Sequence, residues 1–169
     1  MIKLWGAILI IAGCSGVGLA MCQNHRYLEK SLDYLARSLD WMALELNYRM
    51  SPLSELCRGA ADISQGGVKS VFQQLAIELD RQVIPDASAC MTAALEKVPK
   101  LPLLVTEHFK NLGTTLGQFD LQGQIAGLEA TAMLCRRDLE EVSRNRQLRL
   151  RNYQTLGICA GIGLVILFL

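Results

Sequence analysis

Apolar residues are distributed along this 169-residue chain in two different ways. Residues 4–22 and 156–169 are apolar and contain no charged side chain, whereas the stretch between them is charged and has apolar positions three or four residues apart. Such spacings place side chains on one face of an α-helix, and the alternation that is typical of strands is not found. The sequence therefore predicts an all-α protein, a compact helical bundle between two apolar ends.

The first helix of the bundle is predicted to run on from the N-terminal apolar segment, because no proline or glycine interrupts residues 23–50. Its apolar positions recur at spacings of four and three, so they share one face. Four aromatic residues spaced seven apart lie along one edge of that face, where we expect them to flank the core. The stripe consists of Leu28, Leu32, Leu35, Leu39, Met42, Leu46 and Met50, and the aromatic residues are Tyr27, Tyr34, Trp41 and Tyr48.

A polar corner separates the first helix from the second. Ser51 is predicted to cap the second helix, Pro52 to occupy its first position, and Glu55 to lie in its first turn, where a carboxylate stabilises the positive helix end. Gly66-Gly67 is predicted to end this helix near Gln65, because glycine is a poor helix former. The chain should thus stop one helix near residue 50 and start another at once.

Further capping residues, prolines and glycines divide the rest of the chain into four more predicted helices, for a total of six. The third spans 68–83, the fourth is capped by Asp86 and runs to about Val98, and the fifth opens at Leu103 after a turn bracketed by two prolines. The fifth is predicted to end at Leu112-Gly113, and Asp120 to cap the sixth. The sixth repeats the stripe of the first with Leu121, Ile125, Leu128, Ala132, Cys135, Leu139 and Val142.

Residues 4–22 are long enough to span a membrane, since nineteen residues at about 1.5 Å each cover a hydrocarbon core of about 30 Å. A cleaved signal peptide would turn polar after a shorter apolar run. A lipoprotein signal is a sharper rival, because Ile11-Ala12-Gly13-Cys14 resembles the pattern before a lipid-modified cysteine. The chain stays apolar for eight residues after Cys14. We therefore expect an uncleaved N-terminal anchor over residues 1–22.

The C-terminal apolar segment is shorter and follows a basic stretch. Residues 156–169 reach only about 21 Å as a helix, so the predicted membrane segment, 153–169, needs interfacial residues, local thinning or a partner helix. Gly157 and Gly161 form a GxxxG pair that permits close packing with another membrane helix. The basic residues before it are Arg144, Arg146, Arg149 and Arg151. Because arginine is retained on the cytoplasmic side, we expect the bundle, residues 23–152, to be cytoplasmic and both termini to cross the membrane.

The composition argues against several kinds of chemistry. The net charge is +1, and the arginines lack interleaved aromatic residues, so we expect no nucleic-acid binding. Six cysteines without a CxxC pair are read as buried apolar residues. The two histidines have no metal-ligand spacing, and Gly113 and Gly117 lack the lysine of a phosphate-binding loop. We therefore expect no enzyme activity, metal or cofactor.

Several stretches together resemble one known family, the stage III sporulation protein AB family of endospore-forming bacteria. The likeness covers essentially the whole chain. The stretches are the opening residues 1–7 (MIKLWGA), residues 46–55 (LNYRMSPLSE), the run containing Leu112-Gly113, Leu116-Gly117, Asp120 and Gln124, and the basic stretch before a glycine-containing terminal segment. That family's domain is similar to the six-helix cytoplasmic domain of type II secretion F-type platform proteins, although this chain has one such domain where the platforms have a repeated pair.

The resemblance implies a component of the channel between mother cell and forespore, working beside an ATPase of the same operon. We expect a non-catalytic, membrane-anchored platform or adaptor on the mother-cell side of the outer forespore membrane that recruits the ATPase or other channel subunits; homo-oligomerisation stays open. The alternative is a lipoprotein anchored at Cys14 with an extracytoplasmic domain. The matching residues form the predicted partner-binding set, namely Tyr48, Arg49, Ser51, Pro52, Leu53, Glu55, Gly113, Gly117, Asp120 and Gln124.

Overall fold

The protein is described by a computed structural model. The structure describes residues 24–81, 86–116 and 120–144 with their side chains, and the helical backbone of residues 2–23 and 145–168. The helices are α1 (Ile2–Arg49), α2 (Leu53–Ile63), α3 (Gly66–Arg81), α4 (Ala87–Glu96), α5 (Leu103–Thr115) and α6 (Leu121–Phe168). No strand occurs in these residues. The prediction of six helices in an all-α chain is confirmed.

The predicted membrane segments, 1–22 and 153–169, lie outside the residues whose side chains are described. In the part of the chain that the structure describes, no helix has the length and apolar character needed to cross a membrane.

The stripe predicted on α1 supplies much of the core. Leu32, Leu35, Leu39, Met42 and Leu46 are buried, and Leu28 is partly buried against them. On α6 the buried stripe residues are Leu128, Ala132 and Cys135, with the others partly buried. Phe72 of α3 and Phe109 of α5 close the core from the other side, with ring centroids 5.2 Å apart in an edge-to-face arrangement.

Helices α1 and α6 pack antiparallel. Glu29 of α1 lies beside Leu139 and Arg144 of α6, whereas Asn47, eighteen residues further along α1, lies beside Gln122. Their outer ends therefore leave the bundle at the same place. We call the end at Glu29 and Arg144 the exit end, and the end at Arg49, Leu53 and Leu121 the closed end.

The shorter helices run between these two ends. Gly59 of α2 faces the Trp41 ring, and the Ser38 hydroxyl donates to Ala60 O at 3.4 Å. Helix α2 therefore runs antiparallel to α1. Helix α5 starts at the exit end, because His108 pairs with Asp138 of α6 whereas Thr115 packs on Gly127. The earlier residue of α5, His108, thus contacts the later residue of α6, and Thr115 contacts the earlier one. Helices α5 and α6 are therefore antiparallel.

Two predicted caps are confirmed. Asp86 accepts from Ser88 N at 3.2 Å, which stabilises the start of α4. Asp120 accepts from Gly123 N at 3.0 Å and caps α6 in the same way. The Ser88 hydroxyl also donates to Asp86, and these hydrogen bonds lower the pKa of that carboxyl.

The corner at residue 51 differs from its prediction. Pro52, at φ −57° and ψ 146°, is the residue before α2, with no side-chain cap, and α2 begins at Leu53. Ser51 is therefore one residue too early to cap the helix, and Pro52 is outside it. The φ of Pro52 is compatible with a helix, but its ψ is extended, so α2 begins at Leu53, one residue later than the pattern indicated.

Two helix ends predicted at glycines differ from the structure. Gly66 opens α3, at φ +61°, and α2 already ends at Ile63, so the glycines start the following helix. Gly113 was predicted to end α5, but the helix continues to Thr115 and Gly113 is buried inside it. The reason lies in α4: a Cβ at position 113 would come within 2.8 Å of Met91 Cβ, so the glycine permits close helix packing.

Candidate functional site

Most of the predicted partner-binding residues gather at the closed end. Tyr48 and Arg49 end α1, Ser51 to Glu55 form the corner, and Asp120 and Gln124 start α6. Tyr48 is 80% exposed, so the expectation that it flanks the core was wrong. Tyr27, Tyr34 and Trp41 are partly buried, as predicted. Arg49 Nη1 lies 3.3 Å from Glu45 Oε1 in an exposed ion pair. The closed end therefore offers an aromatic side chain and ionic groups to solvent.

The remaining members of that set differ in their accessibility. Leu53 is half-buried against the core, and Gly113 is buried against α4, so Gly113 cannot touch a partner. Asp120 is committed to its cap, and Gln124 N donates to Asp120 O at 2.9 Å. Gly117 lies outside the described residues.

Met50 has a strained backbone at the closed end. Its φ is +50°, in the left-handed region that residues with a Cβ avoid at a cost of about 1–2 kcal/mol. Its amide donates to Leu46 O at 3.3 Å, which ends α1. This change of direction takes Met50 off the α1 stripe, so the expectation that it is buried was wrong, and its side chain is 70% exposed.

An open groove of about 490 Å³ follows the α1/α6 seam from the closed end. Leu44 is its most prominent apolar member, at 58% exposure. Met133 lies four residues beyond Glu129 on α6, on the same helix face, and is 68% exposed. The groove is lined by Asp40, Ala43, Leu44, Asn47, Gln122, Ile125, Ala126 and Glu129.

The charged residues around this groove differ in whether they form an ion pair. Arg136 of α6 forms an ion pair with Asp40 of α1, which joins the two helices across the seam. Glu129 is exposed, and no hydrogen bond or ion pair to it is found within the described part of the chain. The groove therefore combines apolar side chains with one available carboxylate, a combination suited to an amphipathic partner segment that carries a basic residue.

Sequence reasoning missed the groove, although the sequence contained a signal for it. Leu44 and Met133 are large apolar residues that stand off the two predicted stripes, where a fully solvated helix face would carry polar residues. Recognising a shared groove requires the register of α1 against α6, which a one-dimensional pattern does not contain.

Away from the groove, the structure holds a small number of internal polar pairs. Glu78 is buried and accepts from Lys97 Nζ at 2.5 Å, with Arg81 nearby. The Lys97 hydrogen bond is the largest cause of a lowered pKa of the Glu78 carboxyl. These contacts tie α3 to the end of α4, so their role is structural.

The described cysteines are buried, as predicted. Burial raises the pKa of the Cys57 and Cys135 thiols to about 12, and that of Cys90 in the same direction. A protonated thiol is neither a nucleophile nor a metal ligand at neutral pH. No cluster of three or more potential metal ligands occurs among the residues with described side chains.

Taken together, these features define a class: an all-α bundle whose first and last helices pair antiparallel and extend past the bundle at one end. The chain belongs to the stage III sporulation protein AB family, whose model matches residues 3–169. The chain is also similar to a solved structure titled stage III sporulation protein AB, with a TM-score of 0.64 and 20% sequence identity over 72% of this chain and 98% of that chain. At that identity the likeness shows the fold. No curated protein matches the sequence.

Proposed function

We propose that this sporulation protein is a non-catalytic, membrane-anchored platform or adaptor. It carries its helical bundle in the mother-cell cytoplasm, at the outer forespore membrane, and recruits an ATPase or other subunits of the mother cell–forespore channel. The observation that carries this proposal is the antiparallel packing of α1 and α6. Because both helices leave at the exit end, the apolar stretches that follow lie on the same side of the bundle, as entry into one membrane requires.

The charges near the exit end support the proposed orientation. Arg26, Lys30 and Arg144 are exposed there, and Arg146, Arg149 and Arg151, outside the described side chains, follow in the sequence of α6. Lys and Arg residues next to a membrane segment favour the cytoplasmic side. Each would also add up to about 1 kcal/mol of attraction to anionic head groups.

The closed end and the α1/α6 groove form the proposed recruitment surface. They lie furthest from the membrane in this arrangement and expose Leu44, Tyr48, Met50 and Met133. Aromatic and methionine side chains are enriched at protein–protein interfaces. The strained Met50 adds to the case, because strain that costs free energy without improving packing is often retained for function.

The recruitment test uses the full chain in nanodiscs and the purified ATPase of the same operon. Tyr48→Ala and Leu44→Asp should each weaken binding at least tenfold at an unchanged melting temperature, because central interface residues contribute about 2 kcal/mol or more. Ile77→Ala, which truncates an exposed residue of α3 away from the groove, is the matched control. Equal binding by all variants would contradict the recruitment surface, and binding of a different channel subunit would redirect the choice of partner.

The orientation has its own test. The native cysteines of the bundle are unsuitable probes, because Cys57 and Cys90 are buried. Leu44→Cys supplies an exposed thiol at the groove, and it should be protected from a membrane-impermeant maleimide in intact cells and react after lysis. Labelling in intact cells, or incorporation of palmitate at Cys14, would instead support the lipoprotein with an extracytoplasmic domain.

A further inference from the structure

A second exposed surface lies at the exit end of the bundle, in the loop between α4 and α5. Residues 97–102 connect Glu96 to Leu103, and Leu103 is 75% exposed at the first position of α5. Lys100 and Pro99 are exposed beside it. We call residues 99–103 the exit-end loop.

Two independent contacts place this loop at the exit end. A Cβ on Gly67 would lie 2.7 Å from the Tyr27 hydroxyl and 2.8 Å from Leu101 Cδ1, so the loop reaches α1 at Tyr27, close to Glu29. From the other side, His108 pairs with Asp138, and Leu103 lies five residues, about 7 Å, further toward the exit end. Leu103 therefore reaches the level of Arg144, in the last turn of α6 whose side chains are described.

The loop has the composition of a membrane-surface contact. Leu103 and Leu104 follow Lys100 after Leu101 and Pro102. The two prolines, Pro99 and Pro102, restrict the backbone of the loop. Lys97 is engaged with Glu78, which leaves Lys100 as the loop's available cation. Exposed acidic residues are also present: Glu96 closes α4, Glu107 lies one turn deeper along α5, and Glu140 and Glu141 precede Arg144 on α6. An exposed leucine beside a lysine inserts into the head-group region while the ammonium group stays at the phosphates.

We propose that the exit-end loop docks on the surface of an anionic bilayer, inserting Leu103 and placing Lys100 at the lipid phosphates. This inference rests on the proposed membrane anchoring and deepens it. Two helices at one end would leave the bundle free to tilt about the axis that joins them, and α5 lies to one side of the α1/α6 pair. A third contact fixes that tilt and thereby the direction in which the groove faces.

The test measures membrane depth on the full chain in nanodiscs of anionic lipid. Spin labels are attached at Pro99→Cys in the exit-end loop, at Pro52→Cys in the closed-end corner, and at Ala12→Cys within residues 4–22. The background has alanine at Cys14, Cys22 and Cys159, and retains the buried cysteines, of which Cys57 and Cys135 have pKa values of about 12 and react slowly. Collision rates with oxygen and with a water-soluble nickel complex report lipid and water exposure.

The proposal expects oxygen to dominate at positions 99 and 12, and nickel at position 52. Leu103→Ser should move the label at 99 into water, and Lys100→Gln should do so in part in anionic nanodiscs and have no effect in neutral ones. Leu104→Ala, which truncates a half-buried neighbour, is the comparison for loop packing and should leave the label depth unchanged.

Each contrary result has a separate meaning. A label in water at 99 while the label at 12 is in lipid would overturn the loop contact and leave the proposed anchoring intact. Labels in water at both positions would overturn both. A label in lipid at 52 would mean that the bundle lies flat, which would contradict the end-specific contact.

Discussion

His108 Nε2 lies 2.8 Å from Asp138 Oδ2, and this part-buried contact joins α5 to α6. The imidazole is buried, and its other nitrogen, Nδ1, has no hydrogen-bond partner among the residues with described side chains. The Asp138 contact is therefore the hydrogen bond that satisfies the ring. A buried polar group that loses its partner contributes a desolvation cost of about 1–3 kcal/mol.

Asp138→Ala should lower the free energy of unfolding by about 1–3 kcal/mol, because both nitrogens of His108 would then be without a partner. Asp33→Ala is the control, since it removes a carboxylate from an exposed i,i+4 pair with Arg37 and should cost only about 0.3–0.5 kcal/mol. Urea unfolding monitored by circular dichroism measures both. Equal losses in the two variants would show that the His108 contact contributes no more to the free energy of unfolding than an exposed ion pair does.

Met50→Gly should stabilise the protein by about 0.5–1 kcal/mol. Glycine removes the Cβ clash at φ +50°, and this gain exceeds the extra entropy that glycine gives the unfolded chain. Leu44→Gly, in the helical part of α1, should instead cost about 1 kcal/mol. The same urea experiment distinguishes them, and a loss of stability in Met50→Gly would show that its side chain contributes more than its backbone costs.

Gly59→Ala should destabilise the bundle by about 1–3 kcal/mol, since the new Cβ would lie 2.0 Å from the Cη2 atom of Trp41. Trp41→Phe removes the outer ring of the indole and should make room for that methyl group. The double variant should therefore lose less stability than the sum of the single variants. Strict additivity, measured as melting temperature and unfolding free energy, would contradict the close approach of α1 and α2.

Stability should fall in acid partly through Glu78. The pKa of this carboxyl is lowered from its usual value of 4.5, so its contribution is fully present above that value. As the pH drops below about 4.5 and through the lowered pKa, the unfolded chain binds the proton first and the contribution is lost. Glu78→Gln should therefore show a flatter decrease of unfolding free energy between neutral and acidic pH. An unchanged slope would assign the acid sensitivity to other groups, such as Asp86.

Thiol chemistry offers a check on the core. Because burial raises the pKa of Cys57 and Cys135 to about 12, a thiol reagent at pH 8 should leave both unmodified in the folded protein and modify both in urea. Mass spectrometry of peptides resolves each site. Rapid modification of Cys135 without urea would show that α6 opens locally.

The sequence by itself determined the helices and much of the core. Stripes at spacings of three and four predicted which faces of α1 and α6 are buried, and Asp86 and Asp120 marked the starts of α4 and α6, because periodicity and capping are local properties of a helix. Only the tertiary structure decided which helices meet. It placed Gly113 against Met91, paired His108 with Asp138 thirty residues away, and turned Met50 outward. It also brought Leu44 of α1 and Ile125 of α6 into one groove and placed Leu103 at the exit end. These relationships depend on the register between distant helices, which packing sets and no local pattern records.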